Sequence, residues 1–197
     1  MPEQQEPQPA VRPPTIQDRA RKIFAPVLAA GAGLLKFGGV LLKLKFFTLF
    51  FSMLASIGAY ALAFGWQFAV GFVLLIFVHE MGHVIVLRAR GIKAGLPVFL
   101  PFLGAFVSMK SSPRTAYDEA LSGIAGPMFG AVGAFAVLGL AGYEDSDFLR
   151  ALAYTGFLLN LFNLLPFLPL DGGRTAAAVS PKLWIVGLVG LLAYEIY

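Results

Sequence analysis

The sequence predicts an all-α membrane protein, a bundle of about four to five transmembrane helices. Hydrophobic residues make up 58% of the 197 residues and charged residues only 13%, whereas an ordinary soluble domain carries about 25% charge. The mean hydropathy is +0.77. Several apolar stretches are long enough to cross a hydrocarbon core of about 30 Å. Because a chain this apolar cannot cover itself with polar surface, lipid is its natural solvent.

Apolar stretches with few charges follow one another along most of the chain. Residues 65–67 (Gly-Trp-Gln) are predicted to form an interfacial turn, and residues 91–116 contain too many glycines and prolines for a helix. The predicted spans are residues 46–64, 68–87, 120–140 and 148–165, followed by a shorter apolar segment at residues 183–197.

The N-terminal region has a different composition from the rest. Residues 1–22 are rich in Pro, Gln and Glu and are predicted to be a disordered cytoplasmic tail. Residues 23–45 are apolar, but all their charges are basic. This predicts an amphipathic interfacial segment on an anionic membrane face, with a full span as the alternative. Residues 46–197 are predicted to form the transmembrane domain.

The basic residues indicate the orientation. They precede the first predicted span, lie between the second and third, and follow the fourth, whereas residues 143–147 are acidic. The positive-inside rule places the basic side in the cytoplasm. Because basic residues flank apolar segments and form no single patch, we expect no nucleic-acid partner. The chain has no cysteine, which excludes disulfides and thiolate metal sites.

A His-Glu-x-x-His motif lies inside the second predicted span. His79 and His83 are four residues apart, so both imidazoles share one helix face and can reach one metal ion. Glu80 lies beside that face, where it can take a proton from water and deliver it to a leaving amine. The motif predicts a site for one Zn²⁺ ion with Glu80 as the catalytic base. A packed or hydrogen-bonded histidine pair is the structural alternative.

Asp171 is the candidate for the third protein ligand that a catalytic zinc requires. It follows the fourth predicted span at a depth matching that of the histidines. Pro166 and Pro169 break the helix before it, and two glycines after it relax the backbone. As an alternative, Asp171 caps a helix that begins near Arg174 or simply turns the chain.

Two asparagines lie near the end of the fourth predicted span. The amide of Asn163 can bind the substrate carbonyl or the developing oxyanion. It could equally join two helices through a hydrogen bond. Asn160, one turn earlier on nearly the same face, is interpreted as structural.

The two motifs together resemble the site-2 protease family of intramembrane zinc metalloproteases. The first motif is H-E-x-x-H at residues 79–83, the second is N-x-x-P-x-x-x-x-D-G at residues 163–172, and the resemblance covers residues 46–175. It implies a three-helix core that carries zinc between the second and fourth spans. The residues it carries over are His79, His83 and Asp171 as ligands, Glu80 as the base and Asn163 as a substrate or transition-state contact.

Two further stretches are similar to that family. Residues 101–109 resemble a short β-hairpin that dips into the membrane after the motif helix. Their extended apolar pattern suits the addition of a substrate strand, which makes Gly104, Ala105, Phe106 and Val107 candidate substrate-binding residues. Residues 122–127 resemble the opening of the third core helix. Many relatives have asparagine where this chain has Gly130, a departure that bears on any polar role there but not on the zinc site.

From these residues and the resemblance we expect an integral multi-pass cell membrane protein with its active site near the cytoplasmic side. It would hydrolyse a peptide bond in or near a transmembrane segment and release a cytoplasmic regulatory domain. Its partners would be a transmembrane protein substrate and the lipid bilayer, and no oligomeric state is predicted. The alternatives are a proteolytically inactive relative and a membrane protein that handles metal ions, such as a transporter or channel. The intact Glu80 and the clustering of polar groups at one depth favour hydrolysis.

Overall fold

The computed structural model describes residues 43–180 and, beyond them, residues 182, 185, 189, 190, 192 and 193. The described residues from Lys45 onward belong to one compact unit. The predictions for residues 1–22, for most of residues 23–45 and for most of residues 183–197 concern residues outside the described ones.

The described chain is mostly helical and contains one small sheet, as predicted. Helix α1 is described over Lys43–Phe64. The elements that follow it are α2 at Trp66–Ala89, β1 at Ala94–Leu100, β2 at Gly104–Met109, α3 at Ala116–Tyr143, α4 at Asp147–Asn163 and α5 at Asp171–Val179.

Three of the described helices are long and apolar enough to cross a membrane. These are α1, α2 and α3, with 22, 24 and 28 residues, and they cover the first three predicted spans. Helix α4 has 17 residues and is about 25 Å long at 1.5 Å per residue. It is shorter than the other three, so a fourth span at residues 148–165 stays a prediction, as does a fifth at residues 183–197.

Helices α1 and α2 are joined by a single residue. Gly65 has a φ of +82°, a backbone conformation that glycine adopts without the clash a β-carbon causes. The predicted turn is therefore shorter than expected, because Trp66 and Gln67 already belong to α2. The connection lets α1 pack back against α2, and the Tyr60 ring meets the Phe72 ring edge-on at 5.2 Å.

A buried apolar cluster fixes the sheet against the first two helices. The Phe99 backbone N–H also donates to Ser52 Oγ at 3.2 Å, which ties β1 to α1. The sheet is thereby held beside the part of α2 that carries the histidines. The cluster consists of Tyr60, Ala69, Val73, Ile76 and Phe99.

The β-hairpin begins earlier in the chain than predicted. Strands β1 and β2 are antiparallel, with Val98 opposite Phe106 and Leu100 opposite Gly104. Residues 101–103 form the turn, and the Leu103 N–H donates to Leu100 O at 3.1 Å. The prediction of a hairpin at residues 101–109 was therefore correct for its second strand and wrong for its first. Pro101 begins the turn and the first strand lies before it.

Helix α3 packs across α2 and also contacts α4 and α5. It begins at Ala116, after the N-cap residue Thr115, whose side chain accepts the Asp118 N–H at 3.0 Å. At the crossing with α2, a β-carbon on Gly82 would lie 2.6 Å from Ala125 O. Small residues allow helix axes to approach this closely. The crossing places α3 directly over the histidine segment of α2.

Helix α4 ends at Asn163, and α5 begins at Asp171 after a loop that contains both prolines. The N-cap of α5 is Leu170, so the alternative in which Asp171 caps a helix starting near Arg174 is wrong. A β-carbon on Gly172 would collide with the backbone of Leu164. The first turn of α5 is therefore pressed against the loop, which fixes the direction of the Asp171 side chain.

Candidate metal centre

His79 and His83 project from one face of α2, as their spacing predicts. Both are buried, with 3% and 6% of their surface exposed. Their Nε2 atoms lie 3.3 Å apart, and the rings meet nearly edge-on with centroids 5.0 Å apart. A helical face therefore presents two imidazole nitrogens to the same point.

Asp171 reaches this point from α5, which lies 88 residues further along the chain than His83. Its Oδ2 atom lies 3.1 Å from His79 Nε2 and 3.1 Å from His83 Nε2. The carboxylate is largely buried, with 12% of the side chain exposed. The structure thus brings together the three side chains that the sequence suggested as metal ligands, and their ligand atoms form one compact group.

The opposite nitrogen of each ring contacts an oxygen atom. His83 Nδ1 lies 2.7 Å from the backbone oxygen of Ser122, and His79 Nδ1 lies 2.8 Å from Asn160 Oδ1. Because a carbonyl oxygen only accepts, each Nδ1 carries the hydrogen and donates it. In the neutral rings both Nε2 lone pairs then point at Asp171, as a metal ligand requires.

This donor set suits a zinc ion. Two nitrogen lone pairs and a carboxylate oxygen that face one another repel unless a cation lies between them. Ligand atoms about 2.0–2.1 Å from a tetrahedral zinc lie about 3.3 Å apart. The separations between the three atoms here are 3.1, 3.1 and 3.3 Å. The three residues would hold a zinc ion and leave its fourth position open.

A cavity of about 500 Å³ opens beside the three ligand atoms. Glu80 lines it and is 8% exposed, so a carboxylate is available next to the ligands. Asn163 also lines the cavity, and its Nδ2 donates to Leu159 O at 2.9 Å. The predicted base Glu80 and the predicted amide Asn163 therefore both line the cavity beside the three candidate metal ligands.

Strand β2 forms one wall of the same cavity. Its partner β1 pairs along one edge only, and no third strand occurs among the described residues. The second edge of β2 is thus left for another extended segment. The predicted substrate-binding residues that line the cavity are Gly104, Ala105, Phe106 and Val107.

Arg174 is a part of the site that sequence reasoning missed. Its Nε donates to Glu119 Oε1 at 2.9 Å and its Nη2 to Ser122 Oγ at 3.4 Å, while Nη1 lies 4.0 Å from Asp171 Oδ1. One guanidinium therefore ties α5 to α3 and supports the carboxylate. The three-residue spacing of Asp171 and Arg174 on a helix was the signal available in the sequence.

Asn160, which was interpreted from the sequence as structural, also lies beside the site. Its side chain contacts a candidate metal ligand, and only 4% of the residue is exposed. Asn160 lies outside the motif at residues 163–172 that singled out Asn163, so the local sequence did not indicate this contact. The contact depends on how α4 packs against α3 and α2, so it becomes visible only in three dimensions.

The metal-binding geometry of the site agrees with the proteins to which the chain is similar. Residues 67–146, which include both histidines and Glu80, match the sequence profile of peptidase family M50. This region, the M50 region of the chain, is similar to peptidase family M50. The M50 region stops before Asp171, so the third candidate ligand rests on the geometry and not on the profile.

Curated relatives of the chain are named as zinc metalloproteases or putative zinc metalloproteases. One from Methanocaldococcus jannaschii is 35% identical over 58% of this chain and 35% of its own length. A putative zinc metalloprotease of Synechocystis is 33% identical over 51% and 28%, and the putative zinc metalloprotease Rip3 of Mycobacterium tuberculosis is 30% identical over 62% and 34%. The chain thus spans about a third of the length of these relatives.

One solved structure is also similar to the chain. It is the site-2 protease from Methanocaldococcus jannaschii, with a TM-score of 0.49 and 25% identity, covering 75% of this chain and 80% of that one.

Proposed function

We propose that this chain is an intramembrane zinc metalloprotease that hydrolyses a peptide bond in or near the transmembrane segment of a membrane protein. The observation that carries the proposal is the convergence of His79 Nε2, His83 Nε2 and Asp171 Oδ2 within 3.3 Å of one another, beside Glu80. The M50 region and the zinc metalloproteases related to it support the same reaction class.

Each site residue has a distinct task in this proposal. His79, His83 and Asp171 hold one zinc ion, which when bound supplies a Lewis acid that activates water and polarises the scissile carbonyl. Glu80 takes a proton from the attacking water and delivers it to the leaving amine nitrogen. Asn163 has a second amide hydrogen beyond the one that it gives to Leu159. It can donate that hydrogen to the carbonyl oxygen as negative charge develops there.

A transmembrane substrate must be unwound before it can be cut, because a helix hides its carbonyl groups in hydrogen bonds. The free edge of β2 offers backbone groups to an extended segment, and Gly104, Ala105, Phe106 and Val107 line the cavity that contains the ligands. Strand addition at this edge would hold the substrate extended beside the centre. We therefore expect substrates with helix-weakening residues near the cut to be preferred.

The cut is proposed to lie towards the cytoplasmic side of the bilayer, with release of a cytoplasmic regulatory domain. His83 lies six residues before the end of α2 at Ala89, which is about 9 Å along a helix. Arg88, Arg90 and Lys93 flank that end, and basic residues favour the cytoplasmic face. Water from the cytoplasm would thus have a short path to the site.

The proposal is tested with the purified chain in liposomes that contain a single-span protein substrate. Cleavage should stop on addition of a zinc chelator and return when zinc is restored. A matched substrate whose span consists only of strong helix formers should be cut more slowly.

Each outcome of this assay has a defined meaning. Chelator-insensitive cleavage would contradict the zinc role, and equal rates for the two substrates would contradict the unwinding step. Metal-ion flux across the liposome without cleavage would favour a transporter. Partner binding without cleavage would favour a proteolytically inactive relative.

A further inference from the structure

The side chain of Asn160 is inserted from α4 into the interface between α2 and α3. Only 4% of the residue is exposed. Its Oδ1 lies 2.8 Å from His79 Nδ1, and its Nδ2 lies 2.7 Å from Gly156 O, one turn earlier on α4. Both ends of the amide therefore have a partner in a buried position, as a buried polar group requires.

The contact with Gly156 fixes which way the amide faces. A backbone oxygen only accepts, so the atom of Asn160 beside it must be the NH₂ group. Oδ1 is then turned towards His79 and can only accept from Nδ1. The hydrogen of the neutral His79 ring is thereby held on Nδ1, and the Nε2 lone pair is left for a metal ion.

The space for this amide exists because residue 130 of α3 is a glycine. A β-carbon on Gly130 would collide with Asn160 Oδ1 and would lie 2.7 Å from its Nδ2. Any larger residue at this position would push the amide away from His79 or separate α3 from α4. The Asn160 amide therefore fills the space that a side chain at position 130 would occupy, and this space can hold only one amide.

We propose that Asn160 is a positioning residue for the metal centre, and that Gly130 leaves the space that the Asn160 amide needs. The inference rests on the proposed function, since it assigns Asn160 to the orientation of a zinc ligand. Asn160 makes no contact with the metal in this scheme and acts only through the His79 ring. His83 receives the equivalent support from the Ser122 backbone oxygen at 2.7 Å, which a side-chain substitution does not remove.

The first test compares zinc affinity between variants of the full chain in detergent or nanodiscs, measured by competition with a chelator. Asn160→Leu keeps the shape of the side chain without an acceptor and should weaken zinc binding about 10- to 100-fold, the effect typical of losing a group that orients a ligand. Asn160→Asp keeps an acceptor oxygen for His79 but places its second oxygen against Gly156 O, so it should restore only part of the affinity. Thr155→Val, which alters another polar side chain of α4, is the control and should bind zinc like the wild type.

The second test reads the histidine rings directly in the zinc-loaded protein. The chain contains only two histidines, so selective ¹⁵N-histidine labelling gives a simple spectrum with one Nδ1–H signal from each ring. Asn160→Leu should shift the His79 signal or lose it to solvent exchange and should leave the His83 signal in place. A general loss of structure would affect both rings, which separates positioning from misfolding.

The third test exchanges the two residues. Gly130→Asn alone should lower zinc affinity, because two amides compete for one volume. Gly130→Asn combined with Asn160→Gly should recover part of the affinity. If the double variant binds zinc no more tightly than Gly130→Asn alone, the inference that the two positions compete for the same space is overturned.

The results distinguish this inference from the proposed function. If Asn160→Leu binds zinc like the wild type and keeps the His79 signal, the positioning role is wrong while the zinc site stands. If the wild-type chain binds no zinc at all, both the site and the positioning role are wrong.

Discussion

Gly126 of α3 faces the ring of His83 so closely that a β-carbon at this position would collide with His83 Nε2 and lie 2.7 Å from His79 Nε2. Helix α3 therefore passes directly over the two nitrogen atoms that converge on Asp171. At position 126 the helix crossing leaves room for glycine but not for any residue with a β-carbon. The metal centre thus depends on a residue that offers it no ligand.

Gly126→Ala should displace the histidine rings and lower zinc affinity by at least about 10-fold, as expected when ligands are misoriented. Zinc content after purification, together with helical circular dichroism, measures the effect. Gly139→Ala is the matched control on the same helix, because a β-carbon there meets nothing within 4 Å. Equal zinc content in the two variants would contradict the close approach of α3.

Glu80→Gln should keep the zinc ion and lose proteolysis. Glutamine has nearly the same shape as glutamate but cannot accept and deliver a proton, and the loss of a general base typically costs on the order of 10²–10⁴-fold in rate. The rate of substrate cleavage and the zinc content are measured on the same preparation. Cleavage at the wild-type rate would remove Glu80 from the mechanism, whereas loss of zinc would make it a ligand or a structural residue.

Asp171→Ala should lose both zinc and activity, because two histidines alone leave a catalytic zinc site one protein ligand short. Metal analysis of the purified variant should fall from about one zinc ion per chain to near zero. Asp147→Ala, which removes an exposed carboxylate at the start of α4, controls for the loss of an acidic residue. Full zinc occupancy in Asp171→Ala would assign the third ligand to another group.

Arg174→Met should weaken zinc binding about 10-fold, because the guanidinium ties α5, and with it Asp171, to Glu119 and Ser122. Arg150→Met breaks an ion pair with carboxylates that are more than 90% exposed, and such pairs contribute little. The two variants are compared by chelator competition. Equal affinities would mean that α5 holds Asp171 in place without Arg174.

The long helices of this fold were predictable from the sequence, since the absence of charge over about 20 residues is a local property. Helices α1, α2 and α3 extend the predicted spans by a few residues at most of their ends. The extra residues at the start of α3 are stabilised by the Thr115 cap, a polar signal that a hydropathy criterion ignores. The first strand at Ala94–Leu100 was missed, because its Pro97 argues against a strand unless the strand lies at an edge.

The candidate ligands were predictable for a different reason. His79 and His83 are linked by helical spacing, and Asp171 follows from the need of a zinc site for a third ligand. The residues that support them were not predictable, because Asn160 and Arg174 act through contacts between helices that are far apart in sequence. A buried asparagine looks the same in a sequence whether it joins two helices or orients a metal ligand.

The most direct measurement is anomalous X-ray diffraction at the zinc edge from crystals of the full chain. The account predicts a single strong peak about 2.0–2.2 Å from His79 Nε2, His83 Nε2 and an Asp171 carboxylate oxygen. A zinc peak elsewhere in the chain, or zinc on the two rings with the Asp171 carboxylate turned away from it, would contradict the account.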